Sequence, residues 1–248
     1  MSKKITTLVV GATGKTGKLL VEQLLDQGCI VRAVVRLSSS LSTDVIKHPN
    51  IEVIESSILE IGDKQLAAIV KDCDAVISCL GHTMSFKGVF GEPRKLCTET
   101  TRRLCNAIEI NQPIEPVKFI LMNTVGVSNP DLNEKRTWGE RIVLTLLRNL
   151  IPPHNDNEQA FDYLHAKVGK RTNNLEWCSV RPDSLVDAEV SQYQIVESPV
   201  TGLFTGRPTA RANVAHFMAK LIRDNKTWEQ WKFKTPVIMN VESKPNDG

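Results

Sequence analysis

The sequence predicts an α/β fold with a doubly wound parallel sheet, as one domain over residues 1–248. Short runs of apolar, β-branched residues alternate along the chain with helical stretches of ten or so residues. This alternation is typical of βαβ units, whose strands run parallel. The strand-like runs are also continuously apolar, as expected of strands that are covered on both faces of a sheet. The C-terminal third is less regular, and we expect it to bind the substrate.

The individual elements follow from apolar periodicity and from the residues that interrupt it. Strands are predicted at residues 5–10, 29–36, 51–55, 74–80, 117–123, 176–180 and 236–239. Helices are predicted at residues 15–27, 63–71, 92–111, 134–150, 155–171 and 212–223. Gly28 ends the first helix, and Pro152-Pro153 interrupts the chain before a helix that Asn155 or Asp156 would cap.

Composition excludes several classes of protein. The formal net charge of the 248 residues is only +3, and no dense basic stripe predicts a nucleic-acid partner. No run of about 20 apolar residues predicts a membrane span. The six cysteines lack C-x-x-C or metal-ligand spacing, so we expect neither a metal site nor disulfides. A reduced, cytoplasmic protein is the resulting expectation.

The strongest chemical signal is the segment Gly11-Ala12-Thr13-Gly14-Lys15-Thr16-Gly17, between the first strand and the first helix. Gly11 would permit a sharp turn, Gly14 a close approach of a diphosphate, and Gly17 tight packing of the helix on the sheet. The helix N-terminus would then face the phosphates. The spacing is G-x-x-G-x-x-G rather than G-x-G-x-x-G, and a purely structural turn is the alternative. We expect Gly11, Thr13, Gly14, Lys15, Thr16 and Gly17 to bind a dinucleotide.

Further segments carry a family resemblance. The chain contains, in this order, VVGATGKTG, VRAVVR, DAVISCLG, FILMNTVGV, LEWCSVRPDSL and ARANVAHFMAKLI. In sequence and order they resemble the atypical and extended short-chain dehydrogenase/reductase superfamily, and within it the NAD(P)H-binding, NmrA-like branch. The resemblance covers nearly the whole chain and implies a Rossmann fold. It does not specify a reaction, because the branch includes reductases, isomerases and redox sensors without turnover.

The end of the second strand predicts which nucleotide binds. An acidic residue about 20 positions after the glycines would select the ribose hydroxyl of NAD. This chain has Arg36 there, followed by Leu37 and three serines, with no acid nearby in the sequence. A guanidinium suits a 2′-phosphate, and Lys15 could converge on the same group. A solvated arginine at a strand end is the alternative. We therefore expect NADP(H) as the cofactor.

The resemblance also implies positions along the cofactor. Ser57 and Ile58 would lie beside the adenine, and Cys79, Leu80 and Gly81 along the dinucleotide. Asn123 and Thr124 would lie near the nicotinamide. These placements agree with ligand binding beyond the carboxyl ends of parallel strands. We interpret Cys79 as a small residue at a crowded strand end, because no adjacent base would activate its thiol.

The expected catalytic residues are Tyr163, Lys167 and Thr124. Tyr163 and Lys167 form Tyr-x-x-x-Lys, which would place both side chains on one face of an α-helix. In the family that it resembles, Tyr protonates a carbonyl, Lys lowers the pKa of the Tyr, and Thr orients the carbonyl. Counted back from Arg181-Pro182, however, Tyr163 falls where extended members have the lysine, and Gln159 where they have the tyrosine. The alternatives are a half-buried structural tyrosine, and His82 as the proton donor.

An apolar helix at residues 134–150 points to the substrate. It is apolar on most sides after Arg141, so it covers an apolar pocket, contacts a second subunit in a homodimer, or packs in the core. With Trp138, Phe161 and Phe204 as potential neighbours, the substrate would be small and apolar. We expect an enzyme, an NADPH-dependent oxidoreductase that reduces a small apolar carbonyl or conjugated enone. A non-catalytic NADP(H) sensor and an isomerase with bound NADP are the alternatives.

Overall fold

An eight-stranded sheet forms the centre of the computed structural model, which describes residues 4–81, 93–132, 134, 137–170, 173–200, 202 and 206–241. The strands are β1 (Thr6–Val10), β2 (Ile30–Val35), β3 (Ile51–Glu55), β4 (Ala75–Ser78), β5 (Val117–Met122), β6 (Leu175–Pro182), β7 (Ser184–Val186), β8 (Tyr193–Val196), β9 (Pro208–Ala210) and β10 (Val237–Asn240). In the sheet their order is β3-β2-β1-β4-β5-β6-β10-β8, and all pairs are parallel except β10 with β8. Strands β7 and β9 pair separately, also in parallel.

Helices cover both faces of this sheet. They are α1 (Lys15–Asp26), α2 (Thr43–Ile46), α3 (Asp63–Val70), α4 (Leu96–Asn111), α5 (Trp138–Leu150), α6 (Pro152–Asp162), α7 (Arg211–Arg223) and α8 (Asn225–Trp231). Successive residues of β1 face opposite cores: Val9 packs with α1, α7 and α8, whereas Leu8 and Val10 pack with α3, α4 and α6. The predicted doubly wound parallel sheet is therefore confirmed, and the continuously apolar strands follow from burial on both faces.

The helix predicted from residue 134 begins later, at Trp138. Thr137 and Glu140 form a capping box: the Glu140 backbone N–H lies 3.3 Å from the Thr137 hydroxyl, and the Thr137 backbone N–H donates to the Glu140 carboxylate at 2.8 Å. Glu134 lies before this cap and pairs with Arg181 instead. The helix start predicted at Glu92 falls outside the described residues, and α4 begins at Leu96.

The cap predicted at Asn155 or Asp156 was wrong. Helix α6 begins at Pro152, since proline suits the first turn, where a backbone N–H has no partner in the helix. It continues beyond Asp162 as a π-helix, Tyr163–Val168. Asp156 caps a different helix, α4, as described below.

Side-chain hydrogen bonds join the elements of the C-terminal third. Asn213 of α7 accepts a hydrogen bond from the Ser191 backbone N–H at 2.8 Å and donates to the Asn240 side chain at 2.8 Å. Asn240 also accepts from the Ala210 backbone N–H at 2.9 Å. This partly buried network joins β9, β10 and α7 without a local signature in the sequence.

A buried ion pair ties the end of β6 to the loop after β5. The Arg181 side chain is 1% exposed and lies 2.6 Å from the Glu134 carboxylate, itself 4% exposed. Arg181 also donates to the backbone carbonyls of Val127 at 2.9 Å and Thr235 at 2.9 Å. The pair and these carbonyls fix the backbone that follows two adjacent strands.

We expect Glu134→Gln to lower the free energy of unfolding by about 3 kcal/mol, because the buried Arg181 charge would lose its counter-ion. Glu99→Gln is the matched control, since Glu99 pairs with Arg102 on the exposed face of α4 and should contribute less than about 1 kcal/mol. Urea unfolding curves give both values. Equal effects of the two substitutions would contradict a structural role for the buried pair.

Candidate functional site

The candidate site lies where the chain direction across the sheet reverses. From β1 the chain proceeds to β2 on one side, and it returns to β4 on the other, which creates a crevice at the carboxyl ends of β1 and β4. Gly11 leaves β1 with φ +79°, and a β-carbon there would lie 2.7 Å from both the carbonyl carbon and the carbonyl oxygen of Cys79. The two backbones can approach this closely only because residue 11 has no side chain.

The other two glycines of the loop differ in their surroundings. A β-carbon on Gly17 would collide with the Gly11 carbonyl, so Gly17 sets how closely α1 packs on the loop. Gly14 has an ordinary φ of −71° and is exposed, and a β-carbon there would lie 3.3 Å from the Gly11 oxygen. Gly11 and Gly17 thus serve the turn itself, whereas Gly14 faces outward at the N-terminus of α1.

Helices α1 and α4 both begin at this edge, and of these two only α4 is capped by an acid. Asp156 of α6 accepts hydrogen bonds from the backbone N–H groups of Cys97 at 2.7 Å and Thr98 at 2.9 Å. Helix α1 has Gly14 as its N-cap, with no side-chain hydrogen bond to the cap and no acidic residue in the first turn. An uncapped helix N-terminus attracts anions through its N–H groups and its partial positive charge. The glycine loop and α1 therefore fit the diphosphate of a dinucleotide.

The remaining predicted residues of this loop are not equally accessible. Thr13 is partly exposed and Lys15 is exposed, whereas the Thr16 side chain is buried. The exposed Lys15 ammonium has an ion-pair partner, because it lies 2.6 Å from the carboxylate of Asp187.

At the end of β2, where the adenosine of the nucleotide is expected, the structure places an acid that is distant along the chain. Arg36 is exposed at the end of β2 and has no ion-pair partner within the part of the chain that the structure describes. Glu55 ends the neighbouring strand, and its carboxylate accepts a hydrogen bond from the Ser38 backbone N–H at 2.8 Å. Hydrogen bonds from the Ser38 hydroxyl and from the Ser38 backbone N–H hold the pKa of Glu55 below its ordinary value. The end of β2 therefore has an acid beside it in space, Glu55, although no acid follows Arg36 closely along the chain.

The loop predicted to lie beside the adenine is braced from α4. Ser57 is partly exposed, whereas Ile58 is buried in the core. Arg103 donates to the Ile58 carbonyl at 2.7 Å, and to the Ile61 carbonyl. The guanidinium thereby fixes the backbone that carries Ser57.

The end of β4 supplies backbone rather than reactive side chains. Cys79 is buried, and burial raises the pKa of its thiol to about 12, which agrees with a packing role. The Leu80 carbonyl accepts a weak hydrogen bond from the Cys97 thiol at 3.6 Å. Gly81 is exposed, and nothing lies within 4 Å of where its β-carbon would be. His82, considered as a proton donor, lies outside the described residues.

At the end of β5, Asn123 and Thr124 have distinct roles. The Asn123 side chain donates to the Asn157 carbonyl at 3.1 Å and accepts from the Thr124 backbone N–H at 2.9 Å, so it ties β5 to α6. The Thr124 hydroxyl oxygen accepts from the Gly126 backbone N–H at 3.3 Å. Its O–H remains able to donate to a substrate oxygen.

The structure does not bring Tyr163 to Thr124. The Tyr163 hydroxyl lies 3.4 Å from the Asn106 side chain. Asn106 is ten residues beyond Leu96, the first residue of α4, which places it about 15 Å along the helix from its N-terminal end at about 1.5 Å per residue. Burial raises the pKa of Tyr163. Lys167 is exposed, and the segment Tyr163–Val168 is π-helical rather than α-helical.

A titratable pair that the sequence analysis missed lies closer to Thr124. The His154 ring carbon Cε1 lies 3.2 Å from where a β-carbon on Gly126 would be, and the Thr124 methyl group lies 3.8 Å from the same point. Nε2 of His154 lies 3.5 Å from the Glu158 carboxylate, and the two side chains are 10% and 11% exposed. The i,i+4 spacing of His154 and Glu158 is the sequence pattern that could have predicted this pair.

Helix α5 presents apolar side chains to solvent. Trp138, Ile142 and Leu146, at i, i+4 and i+8, are 80%, 40% and 51% exposed, which excludes core packing for these three. The expected neighbour Phe204 lies outside the described residues. Among the described residues, no helix is long and apolar enough to cross a membrane, and no three His, Cys, Asp or Glu side chains cluster as metal ligands.

Comparisons with known proteins bear on the family and the fold. An uncharacterized chloroplastic protein of Arabidopsis thaliana is 29% identical over 209 residues, which cover 82% of this chain and 72% of the relative. A divinyl chlorophyllide a 8-vinyl-reductase of Cucumis sativus is 28% identical over 142 residues, 54% of this chain but only 32% of the reductase.

Solved structures show the same fold at low identity. A wide-type short-chain dehydrogenase/reductase of Veillonella parvula, in complex with NADP, has a TM-score of 0.68 at 16% identity, and the match covers 98% of this chain and 96% of that one. An oxidoreductase of Lactococcus lactis has a TM-score of 0.68 at 17% identity, covering 96% and 92%. A family model described as NAD(P)H-binding matches residues 11–225. The chain belongs to this family of NAD(P)H-binding proteins with a Rossmann fold.

Proposed function

We propose that the protein is an NADPH-dependent reductase of a small apolar carbonyl or conjugated enone. The observation that carries the proposal is the uncapped N-terminus of α1 at the crevice between β1 and β4. The N-terminus of the neighbouring helix α4, in contrast, is capped by Asp156. The bound nicotinamide would supply a hydride. A substrate near it would lie at the carboxyl end of β5.

Each residue of the proposed site would contact a different part of the nucleotide or the substrate. The N–H groups at the start of α1 and the outward-facing Gly14 would hold the diphosphate. Arg36, exposed and without an ion pair among the described residues, would bind the 2′-phosphate of NADPH. Thr124 would donate a hydrogen bond to the substrate oxygen and polarise it. Ser57 and Gly81 would border the adenosine and the dinucleotide.

The substrate class rests on two features. The cucumber relative is named for reduction of a vinyl group, and we carry a conjugated double bond over from it as a hypothesis. The apolar stripe of α5 follows directly after the loop of Thr124, and it suits an apolar substrate. A homodimer that covers the same stripe is the competing proposal, and sedimentation velocity of the unmodified protein distinguishes the two.

The placement of Tyr163 favours a second candidate function, a non-catalytic NADP(H) sensor. A reductase of this family would need a proton donor near Thr124, and Tyr163 is bonded elsewhere. Oxidation of NADPH in the presence of quinones, aldehydes and enones separates the two. Turnover supports the reductase, whereas tight NADPH binding without turnover across this panel supports the sensor. Membership of the NmrA-like branch and a cytoplasmic location stay predictions; the Arabidopsis and cucumber relatives are chloroplastic by name.

We expect Gly14→Val to abolish nucleotide binding in a folded protein, because the side chain would project where the diphosphate binds while φ at residue 14 stays ordinary. Gly17→Ala is the contrasting variant, since its β-carbon would collide with the Gly11 carbonyl and should lower the melting temperature. Calorimetric titration with NADPH and thermal unfolding measure the two effects. Normal affinity in a folded Gly14→Val protein would mean that the loop serves only the turn.

We expect NADPH to bind more tightly than NADH, and Arg36→Gln to weaken NADPH binding by roughly 10- to 100-fold. The loss corresponds to one charge-assisted contact of about 1.5–3 kcal/mol. NADH affinity should stay unchanged in the variant and so serves as the internal control. Equal affinities of the unmodified protein for both nucleotides would rule out a 2′-phosphate site at Arg36.

With a substrate from the panel, we expect Tyr163→Phe to leave kcat within about twofold, because its hydroxyl bonds to Asn106 far from Thr124. His154→Gln should lower kcat more, by up to about 10²-fold, since His154 packs against the loop of Thr124. Steady-state kinetics decide between them. A loss of 10²-fold or more in Tyr163→Phe alone would restore Tyr163 as the proton donor.

A further inference from the structure

A carboxylate from the C-terminal part lies between two cations at the mouth of the glycine loop. Asp187 places one carboxylate oxygen 2.6 Å from the Lys15 ammonium and the other 2.6 Å from the Arg211 guanidinium. Lys15 is the first residue of α1, and Arg211 is the first residue of α7. A hydrogen bond of 3.2 Å from the Gln23 side chain to the Ala212 carbonyl fixes one helix against the other.

Both cations occupy positions that are unfavourable without an anion. A positive side chain in the first turn of a helix is repelled by the partial positive charge of the helix N-terminus. Neither α1 nor α7 has an acidic residue in its first turn. Two helix ends and two cations therefore converge on one place, and Asp187 is the anion that occupies it.

The contribution of these ion pairs to the stability of the fold is too small to account for this arrangement. The Lys15 and Asp187 side chains are 70% and 63% exposed, and an ion pair at such exposure contributes about 1 kcal/mol or less. Asp187 lies in an exposed segment after β7, so it can leave the cations without loss of buried contacts. Arg211 is different, because its side chain is only 19% exposed.

We propose that Lys15 and Arg211 form the phosphate-binding pair of the nucleotide site, and that Asp187 is the counter-ion which the phosphate replaces. The proposal rests on the proposed nucleotide-binding function and adds Arg211 to its site. Asp187 then lowers nucleotide affinity, because its carboxylate competes with the phosphates for the same two cations and repels them while it stays nearby. Since Lys15 begins α1, the phosphate concerned is the diphosphate, which NADP⁺ and NAD⁺ share.

Calorimetric titration of the full chain with NADP⁺ and with NAD⁺ tests the pair. We expect Asp187→Asn to tighten binding of both nucleotides by about 2- to 10-fold, with a smaller gain at high salt. Arg211→Gln should weaken binding of both. In the Lys15→Gln/Arg211→Gln background, Asp187→Asn should give no gain, because the donors that it competes for are gone. A gain for NADP⁺ alone would contradict the assignment of the pair to the diphosphate, because NAD⁺ carries the same diphosphate.

The matched control is Glu189→Gln, which removes the same charge two residues away on the exposed segment. It should leave both affinities unchanged. Thermal unfolding of each variant establishes that the fold is retained. Unchanged or weaker binding in Asp187→Asn, with normal binding by the unmodified protein, would overturn the proposal and leave the nucleotide site intact. Absence of binding by the unmodified protein would overturn the proposed function itself.

Discussion

The close approach of two strand ends at Gly11 is the constraint on which the site depends. The backbone leaves β1 in a left-handed conformation and passes so near to the Cys79 carbonyl that no side chain fits between them. Gly17 then permits α1 to pack against the same turn. Together these contacts aim the N-terminus of α1 into the crevice. An ordinary residue at either position would displace α1 from the sheet edge, and with it the backbone N–H groups that attract a diphosphate.

Buried polar contacts determine which helix end stays available. Asp156 accepts hydrogen bonds from two N–H groups in the first turn of α4, and Asn123 joins α6 to the end of β5, so the described parts of the β4–β6 side of the crevice are bonded to one another. Arg181 and Glu134 do the same for the loops after β5 and β6. The β1–α1 side has no comparable cap. The crevice therefore has two different sides. The side that carries Thr124 is held by hydrogen bonds, whereas the side of α1 has an uncapped helix N-terminus that would receive the nucleotide phosphates.

Much of the fold could be predicted from sequence, because local patterns determine it. The apolar strands, the glycine loop and the position of Arg36 all follow from residues within one βαβ unit. Asp156, Glu134 and Asp187 could not be placed, since their partners lie 58, 47 and 172 residues away along the chain and no local pattern encodes such pairs. Tyr163 shows the opposite problem. Its spacing from Lys167 suggested catalysis, but the π-helix and the contact with Asn106 depend on packing that spacing does not reveal.

The most direct test of the nucleotide site is a crystal structure of the protein with NADP⁺ bound. We predict diphosphate oxygens within hydrogen-bond distance of the backbone N–H groups at Thr13–Thr16, the 2′-phosphate beside Arg36, and the nicotinamide at the Thr124 loop. A diphosphate bound at α4, or a nucleotide in the groove at the amino ends of the strands near Lys118 and Trp228, would contradict the assignment of the site to the uncapped end of α1.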